Sequence, residues 1–228
     1  MFTASQGGPI FTVKNSLEMS PRMTRAFLAA LMLSALPLGA LAETSAVKVA
    51  ELSARLFALG TDTQDPLLII TAAKLRKTIA PVPTDRAATG GKTATDAPLG
   101  WKEMLASAEP LAADNPDLLT LIDDVGVETT KGVASGPVYN IGVLTNGGDD
   151  TYPPIEFRGG EYAEVYVEAK SATNLNLTIM DDRGRLVCAD TDISPIAYCG
   201  WTPATGGTFT LTVENKGPVA ANYALMTN

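Results

Sequence analysis

The 228-residue sequence contains no histidine. That absence excludes Ser-His-Asp and Cys-His hydrolysis, His-ligated zinc and imidazole acid–base chemistry. Aromatic residues are scarce at 6%, and cysteine occurs only twice. Positive charge is also short, with 17 Lys and Arg against 25 Asp and Glu, and no basic patch of the kind a nucleic-acid binder presents. Apolar residues are plentiful at 46%, and 20 Gly with 15 Pro imply many turns in a chain that folds. No catalytic motif survives these exclusions. The expectation is therefore a non-enzyme with no catalytic, cofactor-binding or metal-binding residue.

The longest apolar run has the form of a targeting segment. Arg22 and Arg25 precede Ala26–Leu36, in which only Ser34 is polar, and Pro37 and Gly39 then interrupt any helix. Ala40-Leu41-Ala42 is the small-x-small pattern at which signal peptidase cuts. The run is shorter than the roughly 20 apolar residues that a bilayer span needs. Residues 1–42 are thus expected to be a leader and signal peptide, with Glu43 the new N-terminus. The polar stretch Met1–Glu18 in front of it is unusual, and Met19 or Met23 is the more natural start. Cleavage would remove Lys14, Arg22, Arg25 and Glu18, leaving 186 residues with a net charge of −10. Both cysteines remain, and an even pair in an exported chain reads as a disulfide, Cys188–Cys199. The expected location is periplasmic or extracellular.

Two textures follow. Residues 43–130 carry helical periodicity. Val49, Leu52, Leu56 and Leu59 fall on one stripe, with Gly60 as the expected helix end. Asp65-Pro66 opens a second helix with Leu68, Ala72, Leu75 and Ile79 inward and Lys74, Arg76 and Lys77 near its C-terminus, where the helix dipole favours cations. Residues 84–98 are small, polar and rich in Gly and Thr, and read as a flexible loop. Gly91-Lys92-Thr93 is not a Walker A motif, because Arg86 stands where its first glycine is required. A third helix begins at Trp101, with Met104, Leu105 and Ala108 inward. Asn115-Pro116 opens a fourth through Leu118, Leu119, Ile122 and Val125. The pattern is two helical hairpins, and this layer is the expected contact surface for a protein partner.

Residues 131–137 read as a linker, and from 138 to 228 the period changes to 2. Tyr139-Ile141-Val143, Ile155-Phe157, Ala163-Val165-Val167, Leu175-Leu177-Ile179, Leu186-Cys188, Ala197-Cys199-Trp201, Phe209-Leu211-Val213 and Tyr223-Leu225 alternate between Gly- and Asp-rich turns. About eight short strands in this length make an antiparallel β-sandwich, so the fold class is α+β in two segments.

The block from Arg158 to Asn228 has a Gly159-Gly160-Glu161 turn, the strand Asn174-Leu-Asn176-Leu-Thr178-Ile179 and the turn Asp181-Asp182-Arg183-Gly184. An acidic loop with Asp190 and Asp192 follows, then Cys199-Gly-Trp201-Thr-Pro203, Gly207-Thr-Phe209-Thr-Leu211-Thr-Val213 and Asn222-Tyr223-Ala-Leu225. In this order the motifs resemble the bacterial prepeptidase C-terminal domain, a β-sandwich appended to secreted hydrolases. The resemblance implies an accessory module. Asn176 stands where the family usually carries aspartate, which weakens any carry-over of calcium binding.

Three sets of side chains are candidates for binding. The pairs Asp149-Asp150, Asp181-Asp182 and Asp190/Asp192 offer oxygens for calcium, against the reading that they cap turns. Trp201, Tyr152, Tyr162 and Tyr198 offer ring faces to a sugar, against the reading that they are core, with Trp201 over the disulfide. Asn176-Leu-Thr178 is a glycosylation sequon that, in a bacterial chain, is simply strand. The sequence thus favours an exported, non-enzymatic interaction module, with a glycan- or calcium-binding sandwich as the alternative.

Overall fold

A computed structural model describes residues 44–129 and 136–228 of the chain. The expected signal peptide and most of the linker lie outside the described residues, whereas residues 44–228 form one compact unit.

Four helices come first. α1 (Ala46–Asp62) is capped by Ser45, whose side chain accepts from the Lys48 amide at 3.0 Å. Its buried face is Val47, Ala50 and Ala54; of the expected stripe Val49 and Leu56 are half-buried against the cores, whereas Leu52 and Leu59 are 45% and 51% exposed. The reason lies in what α1 covers. The facing sheet presents Tyr166, Ile196 and Met226, and large side chains there leave room only for small ones opposite. Gly60 does not end the helix either. A Cβ at this position would sit 2.8 Å from Ile69 Cγ1, so the glycine lets the next helix approach closely. The turn is made four residues later. Gln64 adopts φ 53°, and the amides of Gln64 and Asp65 bond to the carbonyls of Thr61 and Gly60, the arrangement usually given to a C-terminal glycine.

The two Xaa-Pro starts behave as expected. Asp65 caps α2 (Pro66–Lys77) by accepting from the Leu67 and Leu68 amides, and Asn115 does the same for α4 (Pro116–Val127) through Asp117 and Leu118. Between them runs α3 (Trp101–Ala112), with Met104, Leu105 and Ala108 inward. These helices share a core of Ile69, Ile70, Ala73, Met104, Leu105, Ile122 and Val125.

The sandwich has two sheets. The first has the order β1 (Val82–Pro83), β3 (Val138–Leu144), β11 (Ala221–Thr227), β6 (Ala163–Ala169), β9 (Ile196–Trp201), and β2 (Lys92–Thr93) also pairs with β3. The second has the order β4 (Asp149–Thr151), β10 (Gly207–Asn215), β7 (Leu175–Asp181), β8 (Leu186–Asp190), with β5 (Ile155–Phe157) also on β10. All pairings are antiparallel except β1 with β3. The eight expected strands are present, and three others were not anticipated. β2 lies inside the segment read as a flexible loop, β1 lies just before it, and β4 contains the Asp149-Asp150 pair read as a turn.

Alternation sorts the inner core. Val165, Val167, Leu177, Ile179, Leu211, Val213 and Leu225 fill the space between the sheets. On the other face of β6, Glu164, Tyr166 and Glu168 point toward the helical layer and are at most 3% exposed. The first sheet is therefore buried on both sides, and the molecule has three layers.

The two open edges of the sandwich are closed differently. β8 and β9 end their respective sheets on the same side, and the Cys188–Cys199 disulfide joins them, with Cα atoms 6.0 Å apart. On the opposite side, residues 84–91 cross from β3 to β4 as a strap. The Thr84 amide bonds to Tyr139 O at 2.7 Å, the Thr89 amide bonds to Thr151 O at 2.8 Å, and Ala88 packs on the inner core.

Candidate functional site

The acidic pairs do not assemble into a cation site. Asp181 accepts from the Arg183 and Arg185 amides and the Arg185 side chain, and these bonds hold its carboxyl below the usual range. Asp190 accepts from the Asp192 and Tyr198 amides. Asp149 and Asp150 are on a strand. Among the described residues no three Cys, Asp or Glu side chains converge as metal ligands would.

The four candidate aromatics are dispersed. Trp201 sits edge-on to Phe157 and Phe209, at centroid distances of 5.0 and 5.3 Å, as part of the inner core's margin. Tyr152 is fully buried. Tyr162 and Tyr198 do meet, with their hydroxyls 3.3 Å apart, and Tyr198 donates to Glu164 Oε1 at 2.7 Å. Only Tyr162 is exposed, so no ring platform for a sugar results.

Two arginines instead organise the buried polar chemistry, and neither was singled out as a site residue. Arg76, read as a helix-dipole cation, is buried at the helix–sheet interface. Its Nη1 and Nη2 donate to Glu168 Oε1 and Oε2 at 2.9 and 2.8 Å, Nη2 also reaches Ala50 O, and Nε donates to Ser53 Oγ. Glu168 accepts in addition from Tyr166 OH at 2.5 Å and the Leu99 amide at 3.1 Å. Burial opposes the charged form of Arg76, but Glu168 outweighs it and its affinity for the proton rises. Every strong donor and acceptor here is matched, as a structural ion pair requires.

Arg86 is the opposite case. It comes off the strap into the edge of the sandwich, where Nη1 donates to Thr227 Oγ1 at 3.0 Å. Among the described residues it has no carboxylate partner. Burial pushes its pKa down, and the neighbouring Tyr152 only partly offsets this.

Beside it runs a relay of hydroxyls. Tyr223 OH donates to Asp150 Oδ2 at 2.8 Å, Tyr152 and Tyr223 hydroxyls lie 2.8 Å apart, and Asn140 Nδ2 donates to Tyr152 OH at 2.8 Å. Gly142 makes this possible, because a Cβ there would run into the Tyr223 ring on the paired strand. The relay has one polarity. Each hydroxyl has a single proton, so with Asp150 accepting from Tyr223, Tyr152 must donate to Tyr223 and itself accept from the Asn140 amide. That leaves Asn140 Oδ1 facing away from the relay, buried and without a partner. At the strapped edge a pocket of about 300 Å³ is bordered by Arg86, Asn140, Thr84, Thr93, Asp85 and Asp96, but the buried Asn140 Oδ1 does not itself open into it. Asp96 is already held by the Ala97 amide and Lys170, which keep its carboxyl below the usual range. Other orphaned atoms, Glu164 Oε2, Asn176 Oδ1 and Trp201 Nε1, do not border this pocket.

Fold and site together define a helix-backed β-sandwich with a polar pocket at its strapped edge. No protein-family model and no curated protein matches the chain. Among solved structures, the pre-peptidase C-terminal domain of a collagenase from Bacillus anthracis is similar over 40% of this chain and 89% of that one, at 14% identity and a TM-score of 0.33. A periplasmic inhibitor of g-type lysozyme from Aeromonas hydrophila covers 44% of this chain and 93% of its own, at 13% identity and a TM-score of 0.30. A carbohydrate-binding module of Cellvibrio mixtus lichenase 5A covers 44% and 83%, at 12% identity and a TM-score of 0.27. Likenesses this distant transfer neither family nor function, so a role must be argued from the pocket.

Proposed function

We propose that this chain is an exported, non-enzymatic binding module, a prepeptidase-C-terminal-like sandwich with its own helical layer, and that the strapped edge holds its ligand. One observation carries the reading. Arg86, a half-buried cation with no carboxylate partner among the described residues, borders a pocket. Its volume of about 300 Å³ is at the small end of ligand pockets. Export is supported by the Met23–Ala42 pattern and by the disulfide, which persists in oxidising compartments.

The test is saturation-transfer NMR of the full chain against a panel of saccharides and small acids. The expected result is saturation transfer to at least one compound, lost in Arg86→Gln. Transfer to no compound overturns the pocket as the ligand site. A second reading, a protein partner on the helical layer, is favoured by the exposure of Leu52, Leu59 and Leu67. Leu52→Asp with Leu59→Asp would then abolish a complex that Arg86→Gln leaves intact.

A further inference from the structure

The strap over the open edge is lightly anchored. Its ties are the Thr84 amide on Tyr139 O, Arg86 on Thr227 Oγ1, the apolar contact of Ala88 and the Thr89 amide on Thr151 O. Segments with so few buried contacts open locally, at a free energy below that of global unfolding. Beneath this strap lies a buried carboxyl. Asp150 on β4 is 6% exposed, and it is in register with Val213 of the inner core, so its side chain shares that face. Tyr223 OH donates to Oδ2. The other oxygen is under the strap, since a Cβ on Gly91 would sit 2.8 Å from Asp150 Oδ1, and Thr89 bonds to the residue that follows Asp150.

No cation offsets this carboxyl. Asp149 precedes it on β4, Tyr223 faces it from β11 with Tyr152 behind, and Glu214 of β10, paired with Lys216, is opposite Asp149. The strap brings Asp85 and Arg86, and β2 brings Lys92. Among the described residues none of these cations forms an ion pair with Asp150. An ionised carboxylate withdrawn from water without a counter-charge is costly, whereas a neutral, hydrogen-bonded carboxyl is not. Because Oδ2 is engaged as an acceptor, the proton of the neutral form belongs on Oδ1, the oxygen that faces the strap. Burial pushes the Asp150 carboxyl up, Asp149 adds to this, and the Tyr223 hydrogen bond opposes it.

We propose that the strap is a proton-operated latch: neutral Asp150 keeps residues 84–91 closed over the edge, and its ionisation favours an open form in which water reaches Oδ1. A carboxyl that holds its proton more tightly in the closed form stabilises closure at low pH, and that contribution is lost as pH rises through its closed-form value. Arg86 is on the same segment, so opening also breaks its bond to Thr227.

The experiment is amide hydrogen exchange of the full chain by NMR at pH 4 and pH 7, corrected for the intrinsic rate of each amide. Thr89 is expected to be less protected than the β6 amides at both values, and to lose roughly threefold or more of its protection between pH 4 and pH 7. Asp150→Asn, which keeps an acceptor for Tyr223 and cannot ionise, should hold Thr89 protection constant. Gly91→Ala drives a methyl toward Oδ1 and should lower Thr89 protection at pH 4 while β6 is unchanged. The proposal is overturned if Thr89 protection in the parent is the same at both pH values, or if Asp150→Asn keeps the loss. It is overturned equally if Gly91→Ala leaves Thr89 as protected as the parent, or if Thr89 is as protected as β6, in which case the strap opens only when the chain unfolds.

Discussion

Arg76 and Arg86 are ten residues apart, and they show what a protein does with a buried cation when it needs stability and when it needs an open valence. Arg76 is 3% exposed, and its guanidinium is matched by Glu168, Ala50 O and Ser53. Arg86 has a hydroxyl and a pocket. The first clamps the helical layer to the sheet across 92 residues of sequence. The second is held by the strap at the edge of the sandwich, beside a pocket. Compensation marks a structural role, and its absence beside a cavity is the ground on which the ligand site is proposed.

The sharpest way to break the comparison is at Arg76. Arg76→Met leaves Glu168 buried without its cation, and stability should fall by about 3–5 kcal/mol, measured by urea denaturation. A loss below ~1 kcal/mol would mean that Glu168 is not held charged by Arg76, and the contrast with Arg86 would vanish.

Next in size is the other closed edge. Cys188→Ser with Cys199→Ser removes a crosslink of separation 11, for which chain entropy predicts a loss of ~3 kcal/mol and a melting temperature lower by roughly 6–12 °C. Identical melting of the oxidised and reduced forms would show that the edge is held by strand packing alone.

Gly142→Ala drives a methyl into the Tyr223 ring and should cost about 1–3 kcal/mol as over-packing while turning the relay. Near-ultraviolet circular dichroism reports the tyrosines, and an unchanged spectrum at unchanged stability would count against the relay geometry.

A subtler comparison is in pH. Burial, with Asp149 beside it, pushes the Asp150 carboxyl above its usual value, against the Tyr223 hydrogen bond. A carboxyl raised in the folded state favours folding below its unfolded pKa of about 3.9, and that contribution is lost as pH rises through the folded value. Asp150→Asn removes this decline. The stability difference between variant and parent should therefore shift in the variant's favour from pH 3.5 to pH 7; a constant difference refutes the assignment.

The smallest effect belongs to Arg86. Arg86→Gln removes a cation that lacks a carboxylate partner, so stability should change by no more than ~0.5 kcal/mol while ligand binding is lost. A large destabilisation would make Arg86 structural after all.

Local signals in the sequence proved legible where the physics acts within a few residues. Asp65-Pro66 and Asn115-Pro116 start helices because a side-chain oxygen reaches amides two and three positions on. Strand alternation likewise sorts Val165 and Val167 from Glu164 and Glu168. The same local logic failed on α1, where the leucines formed a regular stripe but the alanines faced the sheet. It also failed at Gly60, which serves packing while Gln64 makes the turn. The alternation of Ala163, Val165 and Val167 left Glu164, Tyr166 and Glu168 unassigned, although an aromatic residue between two glutamates is a signal that this face is covered.

By itself, then, the sequence determined the four helices, eight of the eleven described strands, the two Xaa-Pro caps and the cysteine pair that closes one edge. Each depends on periodicity, on hydrogen bonds reaching at most a turn of chain, or on the chain's only two thiols. Tertiary structure alone decided which helical face is buried, that a Gly- and Thr-rich stretch becomes an edge-closing strap, and which arginine is paired. Arg76 meets Glu168 across 92 positions, and the Tyr152–Tyr223 contact spans 71. Separations of that size leave no periodic trace, because the contact is made by the packing of layers and not by the geometry of the chain between them.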